Sequence, residues 1–251
     1  MPWPVVAAAG GVVGGLMGAF GVGGSSVATP VLSLLGVPPL LALGSPLAAT
    51  VPAAMLGSVP YLRSGDARPS AAAWSLLGAV PATIAGALLS RVVGGTALLV
   101  ASGIVLVVVG VRVLLPIEDS SREAGSERRR NRPALVAAAA GVGLFTGLLA
   151  NGGGFLLMPL YLLVFGLKMR QAVGTSLLVI AVLSVPTLLT HWALGHIDWA
   201  VAASFAAGLL PGSFAGARLS SRLSGRAQRI AFGYFLIAFG SIFTAYRLLV
   251  G

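Results

Sequence analysis

One feature constrains the fold of this chain more than any other: an apolar run that is broken by a glycine pair occurs twice. The two runs cover residues 14–30, with Gly23 and Gly24, and residues 143–159, with Gly152 and Gly153. In both, a proline follows six residues after the second glycine of the pair. Glycine adopts backbone angles that a helix does not use and lowers helix stability. Each run therefore predicts two half-length helices, each of about 10 residues, joined by an unwound tip.

The composition indicates an all-α, polytopic helical membrane protein in a lipid bilayer. Hydrophobic residues make up 57% of the chain and charged residues 9%, against about a quarter charged in soluble domains. Long apolar runs recur from one end to the other, which leaves no room for a separate soluble domain. No Lys or Arg precedes the first run, so we do not expect a cleavable signal. The chain has no cysteine, and we expect neither a metal site nor a cofactor.

Six further segments are long enough to cross the hydrocarbon core at about 20 residues each. They are residues 44–62, 70–90, 96–115, 174–192, 199–219 and 230–250. A charged linker at 116–133 holds four of the six acidic residues and five arginines. It divides the chain into a first repeat, residues 1–115, and a second repeat, residues 134–251.

The repeat can be followed position by position. At an offset of 129, Gly14, Gly18, Gly23, Gly24 and Pro30 match Gly143, Gly147, Gly152, Gly153 and Pro159. At an offset of 130, Gly44, Gly65, Gly78, Pro81, Gly86, Ser90, Gly103 and Gly110 match Gly174, Gly195, Gly208, Pro211, Gly216, Ser220, Gly233 and Gly240. Two proline matches in register with the breaks indicate a duplication, which is typical of transporters.

The distribution of positive charge predicts that the broken runs are re-entrant. If all the segments crossed the membrane, nine Lys and Arg residues would lie on one face of the membrane and seven on the other. If the second broken run enters and leaves by one face, fourteen lie on that face and only Arg91 and Arg247 on the other. Cytoplasmic loops carry this excess, so the net charge of +10 reflects orientation in a plasma membrane and not a nucleic-acid partner. With the first run re-entrant by symmetry, each half has three crossings, and the halves are inverted repeats.

The tips are candidate binding sites for a small anion. A half-helix that starts inside the membrane presents free N–H groups and the positive end of its dipole, which favour an anion. The candidate residues are Gly23, Gly24, Ser25 and Ser26 at the first tip and Asn151, Gly152, Gly153 and Gly154 at the second. The alternative is that the glycines only allow close helix packing, which suits Gly14, Gly18, Gly143 and Gly147 better.

Three hydroxyl residues open the helices that follow the broken runs. Ser45 stands in the first half, and Thr175 and Ser176 stand at the matching place of the second. They are either N-caps or hydrogen-bond donors to a substrate oxygen.

These motifs together resemble the sulfite exporter TauE/SafE family. The residues that carry the resemblance are the two glycine-rich runs with their prolines, the run 172–176 (AVGTS) and the run 211–219. The resemblance covers nearly the whole chain and implies a bacterial permease for small anions, often sulfite, sulfonates or related sulfur compounds. Ser25 stands where the family commonly has a third glycine, and Ser45-Pro46 replaces a Thr-Ser pair, which leaves the substrate open.

Several alternatives stay open. His191 and His196 with Asp198 are either a proton relay or interfacial residues in an aromatic belt with Trp192 and Trp199. No carboxylate lies in a predicted span, so no carboxylate-based proton or sodium site is visible.

We expect a non-enzymatic carrier that exports its anion down the membrane potential. The alternatives are an anion channel and an intramembrane hydrolase that uses Ser25 or Ser45 with His191. The oligomeric state is open, and a homodimer is one option.

Overall fold

The computed structural model describes residues 3–89, 95–115, 132–149, 154–220 and 222–250, and all regular structure in these ranges is helical. The helices are α1 (Trp3–Phe20), α2 (Gly24–Leu34), α3 (Pro39–Arg63), α4 (Pro69–Leu89), α5 (Gly95–Leu114), α6 (Arg132–Leu149), α7 (Gly154–Pro159), α8 (Met169–Ala193), α9 (Trp199–Ser220) and α10 (Gly225–Val250). A π-helical turn, Leu160–Val164, extends α7. The all-α prediction is confirmed; most of the charged linker lies outside the described residues.

Four of the described helices are long and apolar enough to cross a membrane. They are Trp3–Phe20, Leu40–Arg63, Met169–Ala193 and Trp199–Ser220. The first of these is the first arm of the first broken run, for which the sequence predicts about 10 residues. That prediction was wrong: α1 and α6 have 18 residues each, and only the second arms are short, with 11 residues in α2.

The first arm is long because its glycines serve packing and do not break the helix. Gly10, Gly14 and Gly18 lie against the carbonyls of Phe205, Leu209 and Ser213 in α9. From the other side, Gly208, Gly212 and Gly216 lie against Ala7, Gly11 and Gly15 in α1. A Cβ on Gly10, Gly14 or Gly18 would clash with the backbone of α9. Glycine at these positions therefore permits a closer approach of α1 to α9 than a residue with a side chain would allow. The packing interpretation of Gly14 and Gly18 is confirmed.

These contacts also fix the directions of the helices. The residue numbers of the contacting residues increase together in α1 and α9, so the two helices run parallel. Helix α3 also runs parallel to α9, because Ser45 bonds Asp198 just before α9 and Ala53 bonds Ser213 farther along it. Since α1 and α3 share a direction, α2 must return the chain towards the end of the bundle where α1 begins.

Several contacts and backbone angles are related by the 130-residue offset that the sequence shows. Ser45 Oγ accepts a hydrogen bond from Asp198 N at 3.0 Å, and Thr175 Oγ1 accepts one from Arg68 N at 3.1 Å. Each residue of one bond is 130 positions from its counterpart in the other. Two pairs of glycines at the same offset adopt positive φ: Gly36 (84°) with Gly166 (58°), and Gly65 (72°) with Gly195 (72°). A positive φ strains residues that have a Cβ, which explains glycine at these helix ends.

Candidate functional site

The first break lies in the interior of the bundle. Helix α1 ends before Gly21, whose φ of 66° turns the chain and whose N–H bonds Met17 O at 2.8 Å. Helix α2 then begins at Gly24. A Cβ added there would lie 3.0 Å from Met17 Sδ, 3.4 Å from Thr50 Oγ1 and 3.5 Å from Leu209 Cδ1. Because Leu209 is near the middle of α9, the start of α2 is close to mid-height in the bundle.

The N-terminus of α2 is buried and has no side-chain cap. Its N-cap residue, Gly23, is extended at φ −59° and ψ 123° and cannot supply a side-chain hydrogen bond. Ser25 and Ser26, in the first turn, are only 2% and 3% exposed. The Oγ of Ser25 is buried and has no hydrogen-bond partner in the described part of the chain. A hydroxyl and uncapped amides therefore meet at one buried helix terminus, where they can bind an anion.

The C-terminus of α1, in contrast, is capped by side chains from three other helices. Tyr61 Oη donates to Gly18 O at 3.0 Å. Ala19 O accepts from Ser220 Oγ at 3.0 Å and from Gln228 Nε2 at 2.7 Å. These donors partly neutralise the negative end of the α1 dipole. The positive potential at the start of α2 is therefore reduced less by the nearby end of α1.

Sequence reasoning missed Tyr61, Ser220 and Gln228 as partners of the break. The available signal was that each is a polar side chain in or beside an apolar helix. Each had to find a partner in a membrane interior, but the sequence did not show which carbonyl that was.

The three hydroxyl residues of α3 and α8 are not N-caps, so the first of the two alternatives is excluded. The helices begin at Pro39 and Met169, which leaves Ser45 and Thr175 more than one turn inside. Their oxygens accept the reciprocal loop bonds from Asp198 and Arg68 described above. Ser176 Oγ donates to Gly21 O at 3.1 Å and to Val173 O at 2.9 Å. Among the three, Ser176 therefore adjoins the first break, whereas Ser45 and Thr175 hold interhelical loops.

The second break is described only in part. Asn151, Gly152 and Gly153 lie outside the described residues, and Gly154 begins α7. Helix α7 packs on α8 and contacts α2. The two short helices that follow the breaks are therefore neighbours.

The two histidines form a pair near the end of α8. Their Nδ1 atoms are 3.3 Å apart, and Trp192 packs edge-on against Trp199 with ring centroids 6.2 Å apart. Both tryptophans are more than half exposed, as in an aromatic belt. The serine–histidine bond that a hydrolase would need is not seen in the described residues.

The two carboxylates in the described ranges lie in loops. Asp66 Oδ2 is 3.7 Å from Arg170 Nε, and Asp198 Oδ1 accepts bonds from Ala200 N and Val201 N at the start of α9. Within those ranges, no three His, Asp or Glu residues are grouped so as to hold a metal ion.

Comparison with known proteins decides the family. The model of the sulfite exporter TauE/SafE family matches residues 6–243. The chain belongs to this family. A "Probable membrane transporter protein" of Xylella fastidiosa (strain 9a5c) is 27% identical over 242 residues, which cover 93% of this chain and 92% of the relative. "Probable membrane transporter protein YunE" of Bacillus subtilis (strain 168) is 32% identical over 93 residues, 37% of this chain and 33% of the relative. No solved structure matches the chain significantly.

Family membership and the apolar helices make this TauE/SafE protein a multi-pass membrane transporter. The resemblance noted from the glycine runs and the AVGTS run is confirmed over nearly the whole chain.

Proposed function

We propose that this transporter exports small anions, sulfite, organosulfonates or related sulfur-containing anions, from the cell under the membrane potential. The observation that carries the proposal is the buried N-terminus of α2, where the Oγ of Ser25 has no partner among the described residues. Sulfite and sulfonate oxygens accept hydrogen bonds from amide and hydroxyl groups of this kind. The family description supports the substrate class.

The strength of the site suits a carrier. A helix N-terminus holds roughly half a positive charge and stabilises an anion by about 0.3–1 kcal/mol when exposed and up to about 2 kcal/mol when partly buried. The second break, at Asn151–Gly154, is proposed to add a second such terminus, and the contact between α2 and α7 supports this arrangement. Two termini and a hydroxyl bind an anion weakly enough to release it.

We also propose that the two halves are inverted repeats. Helix α8 begins beside Arg68, where α3 has ended, so α8 runs opposite to α3. The α4–α6 contacts Gly78–Val136 and Ala79–Gly143 are the repeat counterparts of Gly208–Ala7 and Leu209–Gly14. In each pair of contacts, a residue of one half packs against the other half at the position equivalent to that of its own counterpart. A pseudo-twofold axis therefore relates the halves, as in other transporters with inverted repeats.

The driving force follows from the charges near the site. The donors at the first break are neutral, so a bound anion carries its own charge across the membrane. The described helices contain no carboxylate that could hold sodium or a proton. A bacterial interior is negative, and one charge crossing 100 mV gains about 2.3 kcal/mol, which supports roughly a fifty-fold outward gradient.

The test is flux through purified protein in lipid vesicles. Labelled sulfite, a sulfonate and sulfate are supplied under a potassium-diffusion potential, without a pH or sodium gradient. We expect saturable flux of sulfite or the sulfonate that follows the potential. Flux that ignores the potential and follows an imposed pH gradient would refute the uncoupled mechanism and implicate His191. Single-channel currents would identify the protein as a channel.

A further inference from the structure

Many buried and half-buried hydroxyl groups in the described helices bond a carbonyl in the preceding turn of their own helix. Those that do are Thr29, Thr50, Ser58, Ser75, Thr175, Ser176, Thr187 and Thr244. Three buried hydroxyls in the described residues have no partner: Ser25, Thr83 and Ser184. In a membrane interior an unpaired polar group is costly, so polar residues there are usually functional. Ser25 belongs to the proposed site, which leaves Thr83 and Ser184 to be explained.

The repeat places Thr83 and Ser184 at one helix crossing. Thr83, in α4, is the counterpart of Ser213 in α9, and Leu183, in α8, is the counterpart of Ala53 in α3. Ser213 Oγ donates to Ala53 O at 2.8 Å. Helix α4 packs on α8, although less extensively than α9 packs on α3. Thr83 therefore lies opposite the turn of α8 that carries Leu183 and Ser184.

The hydrogen bonding at the two crossings differs. Where α3 has Gly57, which lies directly against Ser213 Oγ, α8 has Thr187. Thr187 Oγ1 donates to Leu183 O at 3.4 Å, so this carbonyl already has a hydroxyl partner. Thr83 is 5% exposed and Ser184 is fully buried, yet neither has a partner in the described chain. The α4–α8 crossing thus carries two available donors where the α9–α3 crossing is satisfied.

Both residues lie three or four positions past the middle of their helices. The bond between Arg68 N and Thr175 Oγ1 places the starts of α4 and α8 at the same end. At 1.5 Å per residue, Thr83 is about 21 Å along α4 and Ser184 about 22 Å along α8. The two hydroxyls therefore share one level, which is close to that of Thr50 and the start of α2. Helix α3 runs opposite to α8 with Tyr61 against Gly174 and Gly57 near Leu177, so Thr50 and Ser184 are at similar heights.

We infer that Thr83 and Ser184 form a second hydroxyl site, which binds the transported anion where α4 crosses α8. The inference rests on the proposed function. The ligand is a small oxyanion, because its oxygens accept hydrogen bonds from the two neutral hydroxyl groups. Neutral donors bind an anion less tightly than a positively charged side chain would, so the anion can leave the site. The anion supplies the partners that the protein does not.

The experiment compares Thr83→Val and Ser184→Ala with Ser213→Ala, which removes the paired hydroxyl at the counterpart position of Thr83. We expect the half-saturating sulfite concentration in vesicles to rise roughly tenfold in each of the first two variants, since each loses a hydrogen bond to a charged group. Their melting temperatures without sulfite should equal or exceed the wild-type value, whereas that of Ser213→Ala should fall. The increase in melting temperature that sulfite causes should shrink in Thr83→Val and return in Thr83→Ser.

Wild-type half-saturation in Thr83→Val and Ser184→Ala would overturn the second site, and so would lost flux in Thr83→Ser. If Ser25→Ala is impaired while these two variants are normal, the second site fails and the proposed function stands. If the wild-type protein moves neither sulfite nor a sulfonate, both proposals fail.

Discussion

Replacing Ser25 by alanine should weaken transport without weakening the fold. The Oγ of Ser25 is buried and has no partner in the described residues, so its removal breaks no hydrogen bond within them. An unsatisfied buried hydroxyl costs about 1–3 kcal/mol, and alanine removes that cost. We therefore expect the variant to unfold at the same temperature as the wild type or at a higher one.

The expected loss of transport follows from the bond that Ser25 would make to the anion. A hydrogen bond to a charged group contributes about 1.5–3 kcal/mol, which corresponds to roughly a ten- to hundredfold rise in the half-saturating sulfite concentration. The assay is potential-driven uptake of labelled sulfite into vesicles, with the amount of inserted protein measured in the same sample.

Thr29→Val is the matched control on the same helix. Its hydroxyl donates to Ser25 O at 2.9 Å, so the variant loses a bond worth about 0.5–1.5 kcal/mol. We expect it to be less stable but to keep wild-type half-saturation. The reasoning is refuted if Ser25→Ala transports with wild-type half-saturation, or if it melts clearly below the wild type, because the hydroxyl would then have a structural partner.

Three further predictions test the site, the topology and the packing. Gly24→Leu should abolish sulfite flux, because its side chain meets Met17, Thr50 and Leu209, whereas Gly15→Ala, with open space around its Cβ, should transport normally; equal flux in both would place the site elsewhere. Lys168→Cys, in a chain without native cysteine, should resist an impermeant thiol reagent on intact cells, and external labelling would exclude a re-entrant second break. Tyr61→Phe loses the bond to Gly18 O and should lower the free energy of unfolding by about 0.5–1.5 kcal/mol in a denaturant titration; an unchanged value would show that the bond adds nothing.

The capping of α1 has a consequence for anion selectivity. Carbonyls at a helix C-terminus repel anions, and at the first break they lie close to the donors of α2. Tyr61, Ser220 and Gln228 occupy these carbonyls with hydrogen bonds. The anion therefore meets an environment of donors, and residues 21–26 of the first break carry no charged side chain.

The sequence by itself determined the all-α class, the position of the first break and the family. Hydropathy and helix-breaking residues are local properties, so the predicted span 199–219 closely matches Trp199–Ser220 and the break at Gly23–Gly24 falls between α1 and α2. The family followed from motifs that survive as short runs, such as AVGTS.

The tertiary structure decided what each glycine and hydroxyl does. Glycine both breaks helices and permits close packing, and only the position of α9 shows that Gly10, Gly14 and Gly18 pack while Gly21 turns the chain. Likewise Ser45, Thr175 and Ser25 are similar hydroxyl residues in apolar surroundings. Two of them hold loops that are more than 100 residues away in sequence, and the third has no partner in the described chain. A hydroxyl's role depends on the atom that lies opposite it, and that atom belongs to a distant part of the chain.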